Sequence, residues 1–218
     1  MKTKHHPDIA LLAGHARGEL PAAISAALAA HLEQCTRCRD NLAEAEAEAG
    51  QAFLEESQTV DQGLLEAMLA RLDEPAPPAP PAPQTRLSVN GDSFELPRAL
   101  AGLQGRLGSW RRLGSKVWSA DLDLGDRGAK ASFLYIDSHT RIPRHRHGGQ
   151  ELTVVLAGHL KDEGGLYREG DFIRKGPTDE HQPFTEEAPC LCFSVLTAPL
   201  VFTGPLGRLA NPLLRLLF

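Results

Sequence analysis

The spacing of hydrophobic positions changes once along the chain. Up to about residue 72 the apolar side chains recur at helical intervals. Pro7 can open a first helix carrying Ile9, Leu11 and Leu12, with Gly18 as its stop. Pro21 opens a second through Ile24, Leu28 and His31, and a third begins near Cys38 and runs through an Ala/Glu-rich stretch to about Leu54. A fourth, from about Asp61 to Leu72, aligns Leu64, Leu65, Met68, Leu69 and Leu72 in one stripe. That stripe has to be covered, either by its own small domain, which has little core to spare, or by a partner.

Beyond the helices the period becomes that of short strands: Arg86 to Val89, Lys116 to Leu122, Ala129 to Ile136, Leu152 to Leu156, Gly170 to Arg174 and Cys190 to Leu196. Turn signals separate them, notably Asn90-Gly91, Gly164-Gly165 and Glu169-Gly170, as a barrel or jelly roll requires. Between the two regimes lies PAPPAPPAP, Pro75 to Pro83, whose prolines fix φ and remove backbone donors, so it is read as a semi-rigid linker. The expected organisation is a multidomain α + β chain: a small all-α domain at 1–73, a linker at 74–85, an all-β jelly-roll barrel at 86–200 and a tail at 201–218.

Composition narrows the function. With 42% hydrophobic and 23% charged residues both portions can bury a core. A formal charge of −5 offers no basic field for phosphates, so a protein partner is expected and direct nucleic-acid contact is not. The N-terminus lacks a sustained apolar signal segment, and no run reaches the roughly 20 apolar residues that span a bilayer, so no membrane role and a cytoplasmic location are expected. Serine nucleophile elbows, kinase motifs and HExxH helices are absent from the sequence, which leaves metal chemistry as the serious candidate.

Two constellations carry that chemistry. In the first, His31 and Cys35 are four residues apart and share a helical face, and Cys38 follows after two residues, close enough for both thiolates to reach one ion. Structural zinc takes four ligands, and a histidine ahead of the first helix, His6 or its neighbour His5, can fold back as the fourth. In the second, RHRHGGQE places His145 and His147 on one face of a strand, Glu151 follows after a turn, and His181 lies thirty residues further on. Three imidazoles and a carboxylate suit a divalent transition metal, with zinc, manganese, iron and nickel all compatible. Cys190 and Cys192 share a strand face and are either core residues or a redox-sensitive pair.

The HH pair near the start with H-L-E-Q-C-T-R-C-R resembles the zinc-binding anti-sigma factors, and H-x-H-x3-E with Gly158, Gly170 and His181 resembles the two cupin motifs. His139 stands where a glycine is expected, Pro177 falls one position late, and Thr185 occupies a frequent asparagine position. A zinc-binding helical domain followed by a cupin resembles, over nearly the whole chain, anti-sigma factors of the ChrR type. That resemblance implies a non-enzymatic regulator whose N-terminal domain, with the Leu64 to Leu72 stripe, binds one ECF-type sigma factor. It also implies a cupin that receives an oxidative signal, singlet oxygen or peroxide. The competing expectation is a metal-dependent cupin enzyme such as a dioxygenase.

Overall fold

In the computed structural model, residues 3–55, 61–72, 74, 75, 85–204 and 211 are described. Most of the predicted linker and most of the predicted tail lie outside them.

The first two helices are each started by an identifiable group. Helix α1 (Ile9–Ala16) is capped by Asp8, whose carboxylate accepts from the Leu11 amide at 2.8 Å. Gly18 follows at φ 67, the left-handed conformation that ends a helix without steric cost for glycine. Helix α2 (Ala22–Leu32) has Pro21 at its N-cap, which offers no side-chain acceptor. Its cap comes from across the molecule: Asp126 accepts from the amides of Ala22 and Ala23 at 2.9 and 2.6 Å. Helix α3 runs Thr36–Glu55 and helix α4 Gln62–Ala70.

The second portion is the all-β barrel expected from its period. Its strands are β1 (Arg86–Val89), β2 (Asp92–Glu95), β3 (Arg111–Arg112), β4 (Val117–Leu122), β5 (Lys130–Ile136), β6 (His145–His147), β7 (Glu151–Ala157), β8 (His159–Asp162), β9 (Gly165–Arg168), β10 (Phe172–Lys175), β11 (Cys190–Leu196) and β12 (Leu200–Phe202). A one-turn helix α5 (Arg98–Ala101) follows β2. Among the described residues the main sheet has the order β10-β7-β11-β5-β4-β3, all antiparallel, and the hairpins β1-β2 and β8-β9 and the pair β12-β6 complete the fold. The Asn90-Gly91 turn joins β1 and β2 with φ 52 and 89, the two positive values a type I′ hairpin needs. Pairing of Leu200 to Phe202 with β6 carries the barrel two residues past the expected boundary at 200.

The two faces of the main sheet have different neighbours. Thr153, Ser194, Leu134, Ile136 and Cys192 line an internal cavity of about 600 Å³. The alternate residues Val154, Leu152, Phe133, Leu191 and Phe193 join Ala27, Leu28 and Leu12 of the helices in one continuous hydrophobic cluster. Burial on both faces explains why β7 and β11 read as almost unbroken apolar runs instead of alternating ones. Phe193 is fully buried with its ring 5.3 Å from that of Phe133. Phe193→Ala should therefore lower unfolding stability by about 3–5 kcal/mol, read as a shift of the denaturant midpoint.

Helix α4 has no such cover. Its N-cap Asp61 accepts from the Gly63 amide, but none of its residues is buried, and Leu64 and Met68 are 59% and 61% exposed. Of the two ways to cover the stripe, packing on its own domain is not used among the described residues.

Candidate metal centres

His31 is in the last turn of α2, Cys38 in the first turn of α3, and Cys35 lies in the break between them. The shared face expected from a single long helix is thus made differently. Helix α2 ends at Leu32, yet the Cys35 amide still donates to the His31 carbonyl at 3.1 Å, which keeps one helical turn of spacing. The third helix accordingly begins at Thr36, slightly before the expected start near Cys38.

The N-terminal segment folds back over this break. His6 brings Nδ1 to 3.3 Å from the Cys35 Sγ and 3.4 Å from the Cys38 Sγ. His31, Cys35 and Cys38 are buried, and the four candidate ligand atoms lie within 4.8 Å of one another. His5 turns away and sets its ring edge-on to Tyr167, with centroids 4.6 Å apart.

The donor set fits a metal on its own chemistry. The Gly170 carbonyl, 2.6 Å from His31 Nδ1, can only accept, so Nδ1 carries the proton and Nε2 keeps its lone pair. That Nε2 is buried and has no hydrogen-bond partner, an arrangement explained if it is a ligand atom. Burial pulls the His6 and His31 pKa values down, favouring the neutral form a ligand needs. Burial, then the neighbouring Cys35, pushes Cys38 up to about 12. Two adjacent thiols become two thiolates readily only with a cation between them.

The second cluster sits inside the barrel. His145 and His147 project from β6 by the period of two, and His181 is bridged to His145 through paired backbone hydrogen bonds of 2.9 and 3.0 Å. Ligand atoms of these three histidines lie within 4.8 Å of one another. Glu151, at the start of β7, reaches in from one side, with Oε2 3.0 Å from His147 Nε2 and 3.6 Å from His181 Nε2.

Tautomers are again set from behind. His145 Nδ1 donates to the Pro143 carbonyl at 2.8 Å and His181 Nδ1 to the Asp162 carboxylate at 3.1 Å, leaving both Nε2 lone pairs free. The His147 and His181 Nε2 atoms approach to 3.1 Å, a contact that a shared cation would reconcile. Burial, reinforced by His181, draws His145 down to about 4, which keeps it neutral. Burial disfavours charge on Glu151, but its bond with His147 outweighs this and holds it at about 2.

Where the sequence departs from the cupin pattern, the local geometry is kept by other means. His139 adopts φ 50, the conformation the expected glycine would supply. Thr185, in the asparagine position, donates through Oγ1 to the Asp137 carbonyl at 2.5 Å and accepts from the Thr140 amide at 3.2 Å.

Cys190 and Cys192 are fully buried with Sγ atoms 3.5 Å apart, and Cys192 lines the same cavity as the histidines. Contact with Cys190, together with burial, raises the Cys192 pKa and keeps it a thiol. The exposed candidates Leu64, Leu65, Met68, Leu69 and Leu72 lie apart from both clusters, on or just beyond α4.

Residues 106–199 match the ChrR cupin-like domain family. Over 99% of this chain and 100% of the relative, the sequence is 34% identical to the anti-sigma-E factor ChrR of Cereibacter sphaeroides. The chain belongs to the ChrR family of anti-sigma factors. The crystal structure of Rhodobacter sphaeroides SigE in complex with the anti-sigma ChrR matches with a TM-score of 0.70 and 33% identity, covering 89% of this chain and 99% of that one. The DMSP lyase DddQ of Ruegeria pomeroyi matches at 20% identity and a TM-score of 0.42, covering 65% of this chain and 94% of its own, too remote to bear on activity. The ChrR-type order of helices followed by a cupin-like barrel is therefore the architecture of this chain. No helix among its described residues is long and apolar enough to cross a membrane.

Proposed function

We propose that this chain holds an ECF-type sigma factor in a one-to-one complex through its helical portion and frees it when the cupin portion receives an oxidative signal, singlet oxygen or peroxide. The observation that carries this reading is the uncovered stripe of α4. Leu64, Leu65, Met68 and Leu69 are all exposed on one helix, whereas α2 is sealed against the barrel and α1 packs on α3, and the related ChrR was solved with SigE bound. An apolar helical face laid into a partner's groove is a recurrent recognition mode, and an acidic chain without a basic field suits a protein partner.

In this reading His6, His31, Cys35 and Cys38 hold one zinc ion, which would cross-link the N-terminal segment, α2 and α3. His145, His147, Glu151 and His181 hold a second divalent metal: zinc, manganese, iron or nickel. Such an ion would supply Lewis acidity at this site. The chain's own residues do the rest: Gly170 and Asp162 orient the histidines, and Leu134, Ile136 and Leu160 give the cavity beside them a largely apolar lining. Cys192 lines the cavity and is the thiol that a peroxide entering it would meet; oxidation there to a sulfenic acid, with the peroxide reduced to alcohol or water, and condensation with Cys190, whose Sγ is 3.5 Å away, with loss of water is the ordinary course.

The working division is a regulatory portion at 1–73, a linker at 74–85, a sensor at 86–200 and a tail at 201–218, acting in the cytoplasm without catalysis. A transcription assay tests this: the full chain, added to RNA polymerase carrying an ECF sigma factor encoded in the same genome, should silence that sigma factor's promoter at stoichiometric amounts. Unchanged transcription with every such sigma factor, together with substrate turnover that depends on His145 and His147, would replace it by the cupin-enzyme reading.

A further inference from the structure

The two ligand clusters are bridged by one hairpin. His181 gives its Nδ1 proton to Asp162 Oδ2 at 3.1 Å, and the other oxygen of Asp162 accepts from the Tyr167 hydroxyl at 2.9 Å. Lys175 closes the same group, with Nζ 2.7 Å from Asp162 Oδ2 and 3.4 Å from the Tyr167 oxygen. Asp162 ends β8, Tyr167 belongs to β9 and Lys175 ends β10, so this buried cluster ties three strands to the back of one imidazole in the barrel.

The far end of those strands grips the first cluster. The ring of Tyr167 packs edge-on against His5, the residue beside His6. The turn between β9 and β10 holds the chain there at several points. Asp171 Oδ1 accepts from the amides of Lys4 and His5 at 2.7 and 3.1 Å, and the Phe172 amide donates to the His5 carbonyl at 3.0 Å. Asp171 also accepts from the Arg168 amide at 2.8 Å, which fixes the turn itself. Gly170 orients His31 through its carbonyl. It sits at φ 86, and a Cβ there would come within 2.8 Å of Gln34 Oε1 and Thr3 Cγ2, so the turn and the N-terminal segment are in direct contact.

We propose that the β8–β10 segment, through Asp162, Tyr167, Lys175 and the Gly170-Asp171 turn, couples the two ligand clusters, so that filling the barrel site strengthens metal binding at the His6/His31/Cys35/Cys38 site. This rests on the assignment of both clusters as metal sites and supplies a route by which the barrel acts on the helices without the linker. An ion on His181 Nε2 fixes that ring, and with it Asp162. Asp162 then holds the Tyr167 side chain against His5 and, through Lys175, the strand β10 that begins just after Asp171. The N-terminal segment keeps His6 over the two cysteines only while that turn is in place. Linkage makes the effect reciprocal: whatever empties the barrel site loosens the helical site.

Cobalt binding to the full-length chain tests this, because thiolate-to-cobalt charge transfer reports the cysteine site separately from the barrel. Against a competing chelator, cobalt affinity at the cysteine site should fall about tenfold when the barrel site is disabled by His145→Ala/His147→Ala, within the usual range of coupling between sites. In a Tyr167→Phe/Lys175→Met background the same comparison should give less than a twofold difference. Asp126→Ala, which removes the α2 cap at the same interface but lies off the bridge, should leave the tenfold effect intact. Equal affinities with and without the barrel site, or a difference that survives the Tyr167/Lys175 change, would overturn the coupling while leaving the zinc assignment standing. Absence of a thiolate band in every variant would remove both.

Discussion

Replacing both cysteines, Cys35→Ser/Cys38→Ser, should abolish sigma-factor binding and remove one equivalent of zinc while leaving the barrel folded. Among the described residues the helical portion packs three helices together, and α2 spends its apolar surface on the barrel sheet. Nothing within α1 to α3 would replace the proposed metal cross-link among His6, His31, Cys35 and Cys38, in which His31 Nε2 is buried without a hydrogen-bond partner. Structural zinc contributes on the order of 10–16 kcal/mol to folding in small peptides, so even a fraction of that exceeds what so small a unit holds in reserve. The measurement is isothermal titration of the full-length variant with the sigma factor, alongside zinc analysis and thermal unfolding. A loss of affinity of at least about 100-fold, equivalent to about 2.7 kcal/mol, is expected together with early melting of helical signal. Unchanged affinity with zinc removed would show that the site is not needed for the complex.

Truncating the stripe should separate binding from folding. Leu65→Ala/Leu69→Ala removes two side chains that are 47% and 53% exposed in the free chain, so stability should move by no more than about 0.5 kcal/mol. If α4 is an anchor in the complex, each truncation of a central apolar contact costs roughly 2 kcal/mol or more, and the pair should weaken the complex by about 1000-fold or more. The contrast is the informative part: an intact melting curve beside a collapsed titration assigns those leucines to recognition. Equal affinity would return α4 to an ordinary solvated helix with no role in partner binding.

The parts of this architecture legible in the sequence were those with local causes. The Asn90-Gly91 hairpin, the β11 run, the change of period near residue 72 and the candidate clusters H-x3-C-x2-C and H-x-H-x3-E all follow from neighbouring residues. Elements whose cause is tertiary were not legible. Asp126 sits in a glycine-flanked loop and resembles any solvated acid, yet it caps a helix 103 residues away. Strands β2, β9 and β12 are three or four residues long and exist because of their partners. The end of α2 at Leu32 was hidden because the helical spacing of His31 and Cys35 persists through the break. Choosing between His5 and His6 needed the side-chain directions, since adjacent histidines look alike until one turns to the cysteines and the other to Tyr167. Exposure of the α4 stripe was equally undecidable, because an amphipathic pattern states that a face is apolar and not what covers it.

The most direct test of the central claim is size-exclusion chromatography with light scattering of the full-length chain mixed with each ECF-type sigma factor encoded in the same genome, with metal analysis of the peak. The account predicts one stable one-to-one complex carrying zinc, lost in Leu65→Ala/Leu69→Ala. Failure of the zinc-loaded, folded chain to bind any of them would contradict it.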